Sequence, residues 1–531
     1  MPLTRVSLPM LGYSGATVIS INTVVTEDVV VAPGQTITVA DGVTLTFSGY
    51  FTAGIYPIFA AGSKILFAEG SVVEVYPEWW AGEFGAATSS AIASIVATGG
   101  KIVFTKSHDC TTPINATNNH KGMVFEGRGG SGSGDKAPTI AFAHAGVGFD
   151  CSNSEHFNFL NCCFKGGPLA DTTVPTVVPN VGILFARNAV GSGCGKHSMT
   201  NVIFDYYSRF GAACLYTYGA EEMLYINCHF RNKNTVTGGQ VVVITCSNLL
   251  GITSSFITLA TGMQSNTVHK FIGGAVTQEG TNTSNCMYLE GVGEFTVDGG
   301  LFFTYLGRSI FYLDSRSQAP LYNASIRNIR QEIKADYVFY ANGTNTGNAF
   351  APYNISVTNN HFAQNAAIGH YFIYAANGVV LYEWDIINNT SSGIFNAFDV
   401  TYCNIDFNST LVVRALMSGS TLRSFESATT INQALNSQTY GKAFGAISFT
   451  GTITQRSPAS KVTLSAGTST TVSNVPYIKA GAIIVLTAAN SSASTLAGIY
   501  ISAITANTGF TITHNSAAGT EIYNCLIFNC V

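Results

Sequence analysis

Charge is scarce in this chain: Asp, Glu, Lys and Arg make up only 10% of its 531 residues. The 25 basic and 29 acidic side chains leave a net charge of −4, which excludes a polyanion such as DNA as the main ligand. No apolar run approaches the roughly 18 residues a spanning helix needs, so membrane insertion is excluded although mean hydropathy is +0.25. Low charge suits a chain that hides surface in a tight oligomer. No CxxC pair and no His-rich ligand spacing occur among 12 cysteines and 10 histidines, so neither a metal site nor a cofactor is expected. Cys214, Cys246, Cys286 and Cys403 fall at strand positions, where a thiol packs as a small apolar group. Together with the adjacent Cys162 and Cys163, they read as reduced thiols of a protein folded in a cytoplasm. Met1-Pro-Leu-Thr-Arg5 has no apolar core behind it, so no secretory signal is expected. A Gly-rich phosphate loop and a Ser-His-Asp array are also missing.

What is present is repetition. Cys214–Tyr218, Val242–Cys246, Cys286–Glu290, Ile310–Asp314, Val338–Asn342 and Phe372–Ala376 share one pattern, at spacings of 24 to 34 residues apart from one gap of 44. An Asn/Gly/Ser-rich bend closed by an apolar residue runs in step, ending at Phe204, Phe230, Phe256, Val276, Phe302, Ile329 and Phe362. Units this short cannot bury their own apolar faces, so they must stack as a solenoid. The wide gap reads as one coil, closing at Val276, whose first strand has degenerated. The units are β-branched and aromatic, and none has the i, i+3, i+4 recurrence of a helical repeat. The expected fold is all-β: a right-handed parallel β-helix of about eight to ten coils, stacked roughly 4.8 Å apart.

Residues 1–76 read as a β-rich neck or anchor, with strands in Gln35–Ala40 and Val43–Phe47 and an Asp41-Gly42 turn between them. Ala86–Ala97 is a helix candidate, placed to cap the open end of the solenoid. The β-helix is expected over 77–414, a junction over 415–456, and a C-terminal β-sandwich over 457–531 for trimerisation or a distal tip.

Tyr76-Pro-Glu-Trp-Trp80, the small-residue helix, Gly99-Gly-Lys-Ile-Val-Phe104 and the coils resemble bacteriophage tailspike depolymerases with a pectate-lyase-like β-helix. Gly42–Phe59 is similar to the segment leading into such spikes, and Ile484 through Thr513 to a sandwich at the tip of many tail fibres. The chain departs from the family at Glu83-Phe-Gly-Ala-Ala87, where members carry Gly-Asp-Gly and Asp-Asp. The resemblance implies a homotrimer on the phage tail or baseplate, assembled in the host cytoplasm. It also implies binding, and usually cleavage, of a bacterial capsular or O-antigen polysaccharide. No long virion-binding domain opens the chain, so the anchor is expected in the first few dozen residues or outside this sequence.

Alternation assigns faces. Leu215/Thr217, Val243/Thr245, Met287/Leu289, Phe311/Leu313, Phe339/Ala341 and Ile373/Ala375 are expected inside. Outside, Tyr216, Ile244, Tyr288, Tyr312, Tyr340 and Tyr374 form a ladder beside Tyr218, Cys246, Glu290, Asp314, Asn342 and Ala376. Such a wall suits sugars, which stack on aromatic faces and hydrogen-bond to carboxylates; it equally suits a subunit contact. Glu290 and Asp314 fall at equivalent places on consecutive coils. One carboxyl of so close a pair should be raised in pKa and act as general acid, the other staying anionic as nucleophile or base. Arg316 could hold the anionic partner. Glu279 and Glu332, two coils apart near Tyr305, are a second pair; Glu383 and Asp385 around Trp384 are a third option, and Glu221-Glu222 point opposite ways. Each of these could instead be a solvated turn or an ion pair. The leading expectation is endo-glycosidic hydrolysis. A lyase reading would draw on Tyr288, Tyr312, Arg308, Arg316, His269 and Lys270, and a non-catalytic adhesin is the third.

Overall fold

The computed structural model describes residues 6–7, 16–129, 137–171, 177–189, 193–233, 239–248, 250–264, 266–279, 284–304, 307–315, 321–333, 336–343, 352–364, 371–376, 381–387, 390–392, 396–399, 405–406, 459–473, 475, 478 and 480–528. They form two units, 1–450 and 451–531.

The first unit is a parallel β-helix. Three parallel sheets of 11, 10 and 10 strands span residues 100–406, and the coils there contribute a strand to each in turn. One coil, for example, places Phe295–Asp298 in the first sheet, Leu301–Thr304 in the second and Ser309–Asp314 in the third. The bend between the first two sheets is two residues long. Its first residue is left-handed in each described bend from Asn161 onward: Asn161, Asn201, Asn227, Gly273, Gly299, Asn328 and Asn359, with φ from 50° to 78°. Asparagine and glycine tolerate this conformation at least cost, which explains the repeated bend signature. Side chains link successive bends, as where Asn201 Nδ2 donates to Asn161 Oδ1 at 3.0 Å.

One apolar core runs without a break from Ile19 to Ile373. The N-terminal segment therefore joins the solenoid. Val25, Phe47 and Phe67 pair in parallel register, and Ile37, Phe59 and Trp80 bridge in sequence. The Asp41-Gly42 turn does not fold its two strands against each other. Thr36–Val39 pairs with Ala16–Ile19 and Leu45–Phe47 with Thr23–Val25, so the turn is a corner between sheets of narrow coils. The sequence carries this repeat in Ala40-Asp-Gly-Val-Thr-Leu-Thr-Phe47 against Ala60-Ala-Gly-Ser-Lys-Ile-Leu-Phe67, a match that reading strands by alternation passed over. Helix α1 (Phe84–Ser94) starts two residues earlier than expected and lies between these narrow coils and the wide ones. It caps no open end, because the core continues on both sides of it. Glu83 is its N-cap, its carboxylate accepting from Ala86 N at 2.8 Å.

Two readings of the repeat are corrected. The 44-residue gap holds no degenerate coil, since Val242–Thr245 pairs directly with Asn285–Glu290. Residues 247–248 and 250–264 leave the coil instead and lie across the outer face of the third sheet, where Asn188 and Leu259 form an antiparallel bridge. Phe256 belongs to this strap and is exposed; Phe230 is followed in register by Val276. Ile329 is a bend residue, and Gln331 pairs with Phe302 and Phe362.

The second unit consists of two three-stranded antiparallel sheets, ordered Ala459–Thr463, Ile522–Phe528, Ile483–Ala488 and Gly467–Ser473, Gly509–Ala517, Tyr500–Thr505. Val462, Leu464, Ile478, Phe510, Ile512 and Tyr523 belong to the buried cluster of this unit.

Candidate functional site

Third-sheet strands are buried on both faces along their length, which is why they read as continuous apolar runs. The inner face joins the main core. The outer face forms a second cluster in which Ile252, Leu259 and Ala260 of the strap cover Leu184, Tyr216 and Val243. Tyr216 Oη donates to Asn248 Oδ1 at 3.0 Å, Tyr218 Oη to Ala260 O at 3.0 Å, and Ser254 Oγ to Asp150 Oδ2 at 2.5 Å. Burial pushes the Asp150 carboxyl up, against hydrogen bonds from Ser152 and Ser254 that pull it down.

The register corrects the expected ladder at one coil. Leu215 pairs with Val242 and Tyr216 with Val243, so Val242 and Ile244 face the core while Val243 and Thr245 face out. A one-residue slip moves every side chain to the other face. Thr245, not Cys246, therefore precedes Glu290 in its file.

Glu290 and Asp314 do pair in register on neighbouring strands. They point away from the core, yet they are 0% and 1% exposed. The Glu290 carboxylate accepts from the hydroxyls of Thr245 and Ser247, the latter at 2.7 Å, where the strap begins. Asp314 Oδ2 accepts from Tyr288 Oη at 2.6 Å, and Tyr312 Oη from Asn342 Nδ2 at 2.6 Å. Tyr288, Tyr312 and Tyr340 stack at 5.2 Å centroid spacings and are buried. The Arg308 guanidinium lies 3.8 Å from the Tyr340 centroid, over the end of the stack. A wall open to carbohydrate was expected; what forms is a closed seam with its hydroxyls and carboxylates joined to one another.

The remaining candidates disperse. Glu279 and Glu332 are not in one file, because Glu332 pairs with Phe303 and hence lines up with Thr277. Each has a cationic neighbour: Lys233 at 3.6 Å from Glu279, Arg330 at 2.7 Å from Glu332. Glu221 pairs with Arg187 at 2.7 Å. Trp384 lies in register with Ile355, and Asp385 with Ser356. Tyr305 and Arg316 lie outside the described residues.

His269 and Lys270 face opposite sides of a first-sheet strand, with His269 fully buried. His269 therefore cannot join Tyr288 and Arg308 as a base. Its Nε2 contacts Asn266 Oδ1 at 2.7 Å, while Nδ1 has no partner. Burial lowers His269 and likewise His197 to about 3. Because each imidazole titrates near 6.5 when unfolded, the unfolded chain binds more protons between these values. The stability from the neutral imidazoles is thus complete above about pH 6.5 and lost as pH falls toward about 3. The melting temperature should drop between roughly pH 6.5 and pH 4, less steeply in His269→Gln. A melting temperature independent of pH over that range would contradict this.

The outer face of the second sheet is different, and sequence reasoning picked out only part of it. Tyr206 is 46% exposed. Lys233 Nζ lies 4.4 Å from its ring centroid and the Arg231 guanidinium 4.9 Å from it. Arg231 Nη2 donates to His229 Nε2 at 3.2 Å, and Thr277 Oγ1 lies 3.0 Å from the same nitrogen. Burial, then the Arg231 charge, lowers His229 to about 4, so the ring is a neutral acceptor. With Tyr207, Lys233 and Glu279, these residues form a half-buried shelf of aromatic, cationic and carboxylate groups. The available signal was strand register: His229, Arg231 and Lys233 alternate outward around the inward Phe230 and Asn232.

No family model matches this sequence, and no curated protein does. Among solved structures, the chain is similar to the enzymatically active domain of tailspike protein 2 of bacteriophage CBA120, at 13% identity and a TM-score of 0.37. That match covers 62% of this chain but only 43% of the other. A tailspike of Acinetobacter phage vB_ApiP_P1 matches at 11% identity and 0.28, covering 85% of each chain. The A-module of a mannuronan C-5 epimerase of Azotobacter vinelandii matches at 11% and 0.26, covering 60% of this chain and 96% of that one. The Pseudomonas phage phi297 tailspike matches at 10% and 0.28, covering 94% and 90%. Scores this low carry nothing about the activity of this chain, whose parallel β-helix stands on its own strand pairing.

Proposed function

We propose that this protein is the β-helical body of a phage tailspike that binds and cuts a bacterial surface polysaccharide along its outer wall. The observation that supports this is the second-sheet shelf, where the exposed Tyr206 ring, two cations and Glu279 converge at and just beyond the ends of neighbouring strands. Sugars are held by this combination, ring faces on aromatics and hydroxyls on charged groups. Rigid strands give the shelf the positional precision a cleavage site requires.

Endo-glycosidic hydrolysis is the first reading, with Glu279 as the reachable carboxylate beside Lys233. The buried Glu290 and Asp314 pair enters only where substrate displaces the covering groups. A lyase is the second reading, favoured by the cations around Tyr206, because β-elimination needs a positive charge to stabilise the uronate carboxylate. In either case the protein acts as a homotrimer on the virion.

Purified capsular or O-antigen polysaccharide is incubated with the protein and run on a sizing column. Shortened chains are expected. If product absorbance in the far ultraviolet rises as the chains shorten, cleavage is elimination; if it stays flat, cleavage is hydrolysis. A polymer retained by the protein but unchanged in length leaves an adhesin and removes the enzyme.

A further inference from the structure

Arg231 carries a charge that no carboxylate meets in ion-pair contact among the described residues, although Glu279 and Asp205 attract it from farther off. Its guanidinium is half-buried, and burial lowers its pKa. Charged groups withdrawn from water are ordinarily paired. Arg231 forms no ion pair among the described residues, and its Nε is a buried donor with no partner. Neither acid that attracts it is in contact with it. Glu279 approaches Lys233, and Asp205 Oδ1 accepts from Tyr207 N at 3.0 Å. The one side-chain hydrogen bond Arg231 makes among the described residues is to His229, a neutral ring that supplies no charge. The position is nonetheless a rigid one, in a strand paired with the neighbouring coils on both sides.

We propose that Arg231, with Lys233 beside it and the Tyr206 ring as platform, binds the carboxylate of an acidic sugar such as a uronic acid. The assignment rests on the reading of this wall as a polysaccharide-binding surface, and it narrows the substrate class to carboxylated polymers. A guanidinium takes a carboxylate through two parallel hydrogen bonds, a geometry suited to a planar anion. A pyranose ring whose carboxylate meets Arg231 has the partly exposed Tyr206 ring next to it. His229 and Thr277 keep the guanidinium in place without cancelling its charge.

The test is calorimetric titration of the full chain with oligogalacturonate and with its methyl ester, on wild type and on Arg231→Gln. Wild type should bind the acid form about tenfold or more tightly than the ester, a ratio typical of losing one charged hydrogen-bonded contact. Arg231→Gln should lose the same factor for the acid form and change nothing for the ester, at an unaltered melting temperature. Equal affinity for acid and ester, no binding of either at millimolar concentration, or an unaffected Arg231→Gln overturns the assignment. A changed molar mass in Arg231→Gln also overturns it, because the missing anion would then belong to another copy of the chain. Polysaccharide shortening by Arg231→Gln is read separately. Undiminished cutting of a neutral polymer removes the acidic subsite and leaves depolymerisation standing. Tight acid-selective binding with no cutting of any polymer does the reverse.

Discussion

Glu290→Ala should destabilise the β-helix by about 3–5 kcal/mol, and Glu290→Gln by only about 1 kcal/mol, while each folded molecule still shortens polysaccharide. The carboxylate is fully buried and joins two hydroxyls, Thr245 on the preceding strand and Ser247 at the root of the strap. Alanine removes the acceptor the two hydroxyls share, leaving Thr245 only the Ser247 carbonyl, and opens a cavity near Tyr216. Glutamine keeps one oxygen, and the hydroxyls can turn to meet its amide. The measurement is melting temperature alongside the cleavage rate per folded molecule. Abolished cleavage in Glu290→Gln at an unchanged melting temperature would return the pair with Asp314 to the role of acid and base. Asp314→Asn should behave as the milder of the two, since Tyr288 Oη still finds a carbonyl oxygen.

Gly274→Ala should cost about 3 kcal/mol or more, because two penalties add at one atom. The residue sits at φ +77°, where a Cβ costs about 1–2 kcal/mol by itself. That Cβ would also lie 2.0 Å from the carbonyl oxygen of Cys228 in the bend of the coil below. Backbone cannot yield there without shifting the pairing of Ala275–Gln278 with His229–Asn232. Gly122→Ala is the control: nothing lies within 4 Å of its Cβ, and a change within about 0.5 kcal/mol is expected. Soluble yield and melting temperature report both variants. Equal values for the two would show that the bends do not hold the coils in register.

The two glycines also show how far a sequence speaks. Asn161, Asn201 and Asn227 repeat visibly, and Gly273-Gly274 stands in their place one coil later. Local backbone preference is written in residue type, so the bends, the strands and the solenoid could be read directly. Phe204, Phe230, Val276 and Phe302 were legible for the same reason, being apolar at a fixed distance from a bend. Ile329 misled because it is the apolar second residue of a bend, while Gln331 occupies the strand position. Val242–Thr245 misled because four apolar or β-branched residues in a row carry no alternation to set their register.

The candidate site was less legible. That Glu290 and Asp314 are neighbours follows from spacing alone, and they are paired. Whether water or sugar can reach them depends on a segment distant in sequence folding across the sheet, and no local pattern announces that. In the same way, Arg231 is one cation among many on paper. It stands out only when the fold half-buries it with no carboxylate in contact among the described residues and with its Nε unpartnered.

Residue order alone thus determined that this chain winds into coils, where the bends fall, and which carboxylates become neighbours. Those depend on conformational preference and on periodicity, both of which act over a few residues. Tertiary structure alone decided which outer face is sealed and which stays open. Exposure belongs to whatever lies on top, and Ser254 of the strap reaches back to Asp150, more than a hundred residues earlier in the chain.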